Sequence, residues 1–97
     1  AKILVPDRFN NGTPINPDWR AEFEQQLVGT FGGFTKHAAM GAWAGSVGVQ
    51  IEPITVYTIA ANMVHRRRLI KLAEKVKVDL GQDAVYLVTP CGSVHFI

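Results

Sequence analysis

Apolar residues recur every fourth position from Trp19. Trp19, Phe23, Leu27 and Phe31 form one stripe, with Val28 beside it and Glu22, Glu24, Gln25 and Gln26 on the wet side. That spacing predicts an amphipathic helix whose apolar side seeks a core. Its ends are written in the flanking residues. Asn16 is a good N-cap, Pro17 suits the first helical position, and Asp18 sits well against the positive helix end. Gly32-Gly33 stops the helix by accepting a left-handed backbone. A second stripe of Leu69, Leu72, Ala73, Val76 and Leu80 predicts a helix over Asn62 to Leu80, ended by Gly81.

Short apolar runs between these helices predict strands over Lys2 to Phe9, Phe34 to Ala44, Val49 to Ala61, Asp83 to Thr89 and, briefly, Val94 to Ile97. Turn formers separate them at Asn10 to Pro14, Gly45 to Gly48 and Pro90 to Ser93. Pro53 has no N–H to give a ladder, so it predicts a bulge or break inside the third strand. The order is β-α-β-β-α-β in a single domain, residues 1–97. It predicts an α+β, ferredoxin-like antiparallel sheet with two helices on one face and a short C-terminal strand.

A sheet wet on one side should alternate apolar with polar positions. The third strand does not: Ile54, Val56 and Thr58 point one way, and Thr55, Tyr57 and Ile59 the other. In the fourth, Tyr86 and Val88 oppose Val85 and Leu87. The open sheet face therefore needs a cover, and a second copy of the chain is the simplest one. Self-association as a homodimer or higher oligomer is the firmest functional expectation from the sequence.

Composition narrows the picture further. Of 97 residues 47% are apolar and 19% charged, enough for a core without disulfide or metal, and a net charge of +2 does not imply a polyanionic partner. The single cysteine, Cys91, cannot form an internal disulfide and fits a reducing compartment. No apolar run approaches the ~20 residues of a membrane span, and no signal peptide is visible. Ala1 is what removal of an initiator methionine would leave. These features lead us to expect a cytoplasmic protein with no membrane association and no cofactor.

The candidate chemistry gathers in the glycine-rich segment Phe31 to Pro53. Glu52, beside the expected bulge, is the best acid–base candidate, against the plainer reading of a structural carboxylate. Trp43 could line a pocket or stack on a flat ligand, or simply fill a core. If the turn pairs Trp43 with Gln50, Gly41 falls next to Glu52, and its missing side chain leaves a gap for a ligand or for the indole. His37 adds a group that titrates near neutrality. Cys91 and His95 look like half of a zinc site or a nucleophile with its base, but neither has the further partners such a site needs, so no metal is expected. Arg66, Arg67 and Arg68 could hold an anion. Consecutive residues point in different directions around a helix, however, so the three cannot converge, and nucleic acid is the less favoured partner.

Trp19 and Phe23, then Thr30, Phe31, Gly33 and Thr35, then Gly41, Trp43, Gly48, Glu52 and Val56 form a pattern. It resembles the bacterial domain-of-unknown-function family numbered 3574, and Gly81 to Val85 resembles that family's entry into the last strand. The resemblance spans Asn16 to about Val88. It implies a compact α+β fold without an assigned reaction, and importance for Thr35, Trp43 and Glu52. The sequence thus reads as a homo-oligomeric binding or interaction domain with a small-molecule site near Trp43, Glu52, His37, Thr35 and Gly41. The alternative is a cofactor-free enzyme of the dimeric α+β barrel type, with His37 or Glu52 as base and Arg8 or a helix arginine holding an anion.

Overall fold

The computed structural model describes residues 1–45, 48–82 and 84–97. Its elements are β1 (Lys2–Pro6), α1 (Pro17–Phe31), β2 (Thr35–Gly45), β3 (Gly48–Thr58), a 3-10 turn (Met63–His65), α2 (Arg66–Asp79), β4 (Tyr86–Val88) and β5 (Val94–Phe96). The five strands form one antiparallel sheet in the order β2-β3-β1-β4-β5.

Helix α1 begins and ends where its caps dictate. The Asn16 side chain accepts a hydrogen bond from the Asp18 N–H at 2.8 Å. Gly32 adopts φ +88° and donates its N–H to the Val28 carbonyl, a conformation that costs a side-chain-bearing residue strain. Helix α2 is shorter than the Asn62 to Leu80 span predicted for it, because the chain over Met63–His65 is wound as a 3-10 turn.

One sheet face packs on both helices. Ile3, Val5, Tyr57, Ile59, Val85 and Leu87 meet Phe23, Leu27, Leu69, Ala73, Val76 and Leu80 in a single buried core. Trp19 and Phe31, the two ends of the α1 stripe, are half-buried against it, while Val28 is exposed. The helices run antiparallel: Trp19 Nε1 donates to Asp79 Oδ2 at 2.9 Å, and at the other end Phe31 meets His65 edge-on at 5.5 Å. Lys75 also donates to Asp79, and these two hydrogen bonds, Lys75's first, hold its carboxyl below the ordinary aspartate value.

A chain of polar side chains crosses the edge of this core. Arg20 donates to the Tyr57 hydroxyl at 2.9 Å and to Asp7 at 3.2 Å; Tyr57 donates to Glu24 at 2.9 Å, and Lys36 to Glu24 at 2.7 Å. Burial pushes the Tyr57 phenol up to about 12. At Glu24, burial acts upward, but hydrogen bonds from Lys36 and Tyr57 together with nearby Lys36 and Arg20 charge outweigh it and lower its pKa. Every donor in the chain has an acceptor, so these buried polar groups cost the fold little.

The expected bulge or break at Pro53 is absent. Strand β3 runs from Gly48 to Thr58 in one register with β2, with Met40 opposite Pro53 and Gly41 opposite Glu52. The reason is directional. A strand residue's N–H and C=O point to the same side, and the Pro53 carbonyl accepts from Asp7 N–H at 3.1 Å, on the β1 side. The missing N–H therefore faces the place where β1 has ended at Pro6, and no bond to β2 is lost. Strand β1 also stops three residues short of its expected end, and Arg8 instead bridges Pro14 within the following loop. The turn expected at Gly45 to Gly48 includes residues 46 and 47, and the fourth strand was expected to start at residue 83; these three lie outside the described residues.

Candidate functional site

The helix-free face of the sheet carries the candidate residues. Thr35, His37, Gly41 and Trp43 occupy odd-numbered positions of β2, and Glu52 pairs with Gly41 across the strands, so all five residues share that face. Strand rise separates them: Thr35 and Trp43 are eight residues, about 27 Å, apart. One small ligand cannot touch both. Trp43 and Glu52 line a cavity of about 300 Å³; Thr35 and His37 do not. Both are exposed further along β2.

Trp43 lies folded over Gly41. A Cβ built on Gly41 would stand 2.7 Å from Trp43 Cζ2 and 3.1 Å from Cε2, closer than packed atoms approach. The indole thus fills the gap that the glycine leaves. This places Nε1 where it donates to Glu52 Oε1 at 2.8 Å. Glycine, tryptophan and carboxylate form one unit: the bare backbone makes room for the ring, and the ring fixes the carboxylate. Glu52 is half-buried and Trp43 is 38% exposed, so the unit is open to solvent.

The rest of the lining comes mostly from distant parts of the chain. Leu4 and Pro6 of β1, Ile54 of β3, Tyr86 of β4 and Phe96 of β5 supply apolar surface. Tyr86 and Phe96 pair across their strands and meet edge to face at 5.3 Å. Asn10, Gln50 and Gln82 add amide groups. The cavity is therefore aromatic at both ends, with one carboxylate and neutral polar groups along its sides. That arrangement suits a flat ring with a polar or cationic substituent. Sequence reading placed Gln50 opposite Trp43 without assigning it to the site, and missed Tyr86, Phe96 and Gln82, because only the fold brings that distant part of the chain to the cavity.

The arginine cluster lies on the other side of the molecule, with the helices. Arg66, Arg67 and Arg68 are all exposed at the start of α2. Arg68 alone of the three lines a groove between α1 and α2, so the three do not form one anion site. Arg8 is exposed and does not line the sheet-face cavity. Among the described residues, no three His, Cys, Asp or Glu side chains come close enough to hold a metal ion.

Cys91 does not pair with His95, whose position opposite Leu87 places it on the helix side of β5. Its sulfur lies 3.2 Å from Ser93 Oγ and 3.3 Å from Thr89 Oγ1. These hydroxyls, Ser93's first, lower the thiol from 9.0 to about 7. Alkylation by iodoacetamide requires the thiolate. Its rate should therefore rise through about pH 7 and level off above it. Ser93→Ala should move that midpoint upward; an unchanged profile would show that the hydroxyl does not stabilise the thiolate.

No family model matches the chain, and no curated protein matches it in sequence. Among solved structures, the fold is similar to that of a phage SAM lyase in complex with S-methyl-5'-thioadenosine. The TM-score is 0.72 at 14% sequence identity, over 99% of this chain and 85% of that one.

Proposed function

We propose that the sheet-face cavity binds a thionucleoside of the S-adenosylmethionine class. The observation that carries this reading is the Glu52 carboxylate, fixed by Trp43 beside an aromatic-lined cavity, in a fold shared with a lyase that holds S-methyl-5'-thioadenosine. Trp43, Tyr86 and Phe96 offer ring faces and edges to a purine, and a carboxylate beside aromatic rings favours a sulfonium cation. The corresponding reaction would break the bond between the sulfonium sulfur and the γ-carbon of the methionine portion. The bonding pair moves to sulfur, releasing a neutral thioether. As that bond breaks, either a base, a role open to Glu52, takes a proton from the β-carbon so that a carbon–carbon double bond forms, or the fragment's own carboxylate oxygen bonds to the γ-carbon and closes a lactone. Identification of the second product separates these routes.

Calorimetry with S-adenosylmethionine and S-methyl-5'-thioadenosine, and chromatography of the reaction mixture, test the proposal. Wild-type protein is expected to bind at least one of them and to release the thioether from the sulfonium. Glu52→Gln should lose at least tenfold in affinity or rate, about 1.4 kcal/mol. Absence of both binding and turnover in the wild type would overturn the reading.

A second, compatible reading is self-association over the same face in a ferredoxin-like sheet extended by β5. It is supported by Phe96 at 69% and Val94 at 49% exposure, on the same helix-free sheet face as Trp43. A stable monomer in sedimentation at micromolar concentration would remove it.

A further inference from the structure

An open groove of about 440 Å³ runs between α1 and α2, on the side of the sheet away from the cavity. Arg68, Lys71 and Lys75 line one wall at the i, i+3 and i+7 positions of α2, which face the same way. Gln26 and Thr30 of α1 line the other. The charge is lopsided. Helix α2 carries six cations against Glu74 and Asp79, and its last turns hold the only carboxylate that pairs with one of them among the described residues. That pair is Lys75 with Asp79 at 2.8 Å; among the described residues, Arg68 and Lys71 have no ion-pair partner, and no α1 carboxylate reaches an α2 cation.

We propose that this groove docks the phosphodiester backbone of duplex nucleic acid, without reading bases. Three features favour that occupant. The cations do not converge on a point: they stretch over about 10 Å of helix, so no single phosphate meets them all. Phosphates of one strand follow one another along the duplex, each advancing about 3.4 Å along its axis, so a stripe of this length meets two or three in succession. The groove's remaining polar groups, Thr30 and Gln26, are of the kind that donate to phosphate oxygens. Single strands bind by stacking bases on exposed rings, whereas the groove's one aromatic, Phe31, is half-buried with the His65 ring against it. The partner follows from a helical stripe and not from the consecutive arginines, of which the groove takes one.

Fluorescence anisotropy of a labelled, mixed-sequence duplex, titrated at salt concentrations from about 50 to 200 mM, tests the proposal. The logarithm of affinity should fall with the logarithm of salt with a slope of about −2 to −3, at about 0.9 for each phosphate neutralised. Arg68→Gln/Lys71→Gln should shrink the slope by about 1.8, and Lys71→Gln alone by half as much. Lys2→Gln/Arg8→Gln removes the same charge from exposed sites outside the groove and should leave the slope unchanged. The proposal fails if the duplex does not bind at the lowest salt, if the two double variants act alike, or if a single strand or an acidic polypeptide binds more tightly than the duplex.

Discussion

Gly41→Val should weaken binding of the proposed thionucleoside in the sheet-face cavity while the fold survives. The new Cβ would lie 2.7 Å from a ring atom of Trp43, and an indole cannot bend away as a flexible chain end can. The ring must swing off the strand. The 2.8 Å hydrogen bond from Nε1 to Glu52 then breaks, and the carboxylate loses its fixed direction. Binding of S-methyl-5'-thioadenosine should weaken at least tenfold, about 1.4 kcal/mol. Overall stability should change little, since removing an interior strand glycine returns about 0.5–1 kcal/mol. Nuclear magnetic resonance supplies a readout independent of the ligand: the Trp43 indole N–H signal should move and that of Trp19 should stay. Wild-type affinity with a displaced Trp43 signal would mean that the ring and carboxylate do not serve the cavity.

Phe23→Ala should come close to unfolding the protein. Phe23 is 1% exposed, stacks on Trp19 at 5.1 Å with planes 10° apart, and meets Tyr57 edge-on at 5.2 Å. Truncating a buried phenylalanine to alanine costs about 3–5 kcal/mol, the lost transfer energy plus the cavity left behind. Domains of this size have only about 5–15 kcal/mol in total. The cost is amplified because Phe23 is the wall against which the Tyr57 ring rests, and Tyr57 carries the hydroxyl between Arg20 and Glu24. Urea unfolding should show a loss of at least 3 kcal/mol with wild-type slope. A loss under about 1 kcal/mol would mean that the core closes over the gap.

Local signals were the legible ones. The α1 boundaries follow from Asn16, Pro17 and Gly32, each of which acts on its own neighbours. The β2–β3 pairing that sets Gly41 against Glu52 and Trp43 against Gln50 follows from a turn between adjacent strands. Pro53 misled because its effect depends on which side its nitrogen faces, and on β1, far away in sequence, having stopped at Pro6. The cavity was half legible for the same reason. Trp43 and Glu52 belong to one hairpin, whereas Tyr86 and Phe96 reach them only through the placing of β1 between β3 and β4. Thr35 and His37 share the right face, yet strand rise carries them out of reach. The arginine run drew attention to α2, but a linear cluster says nothing of helical facing, and Lys71 and Lys75 became visible only with the groove.

The central position of β1 also governs the order in which the molecule can assemble. Strand β1 is the first strand made, yet its partners are residues 54–58 on one side and 87–88 on the other. The β2–β3 hairpin needs only neighbouring sequence, so it can form early. Closing the middle of the sheet requires two loops of about fifty and about eighty residues, whose closure entropy must be met before any contact rewards it. On a ribosome, β4 follows β1 by roughly eighty residues, so β1 waits with one edge unpaired until β4 has emerged.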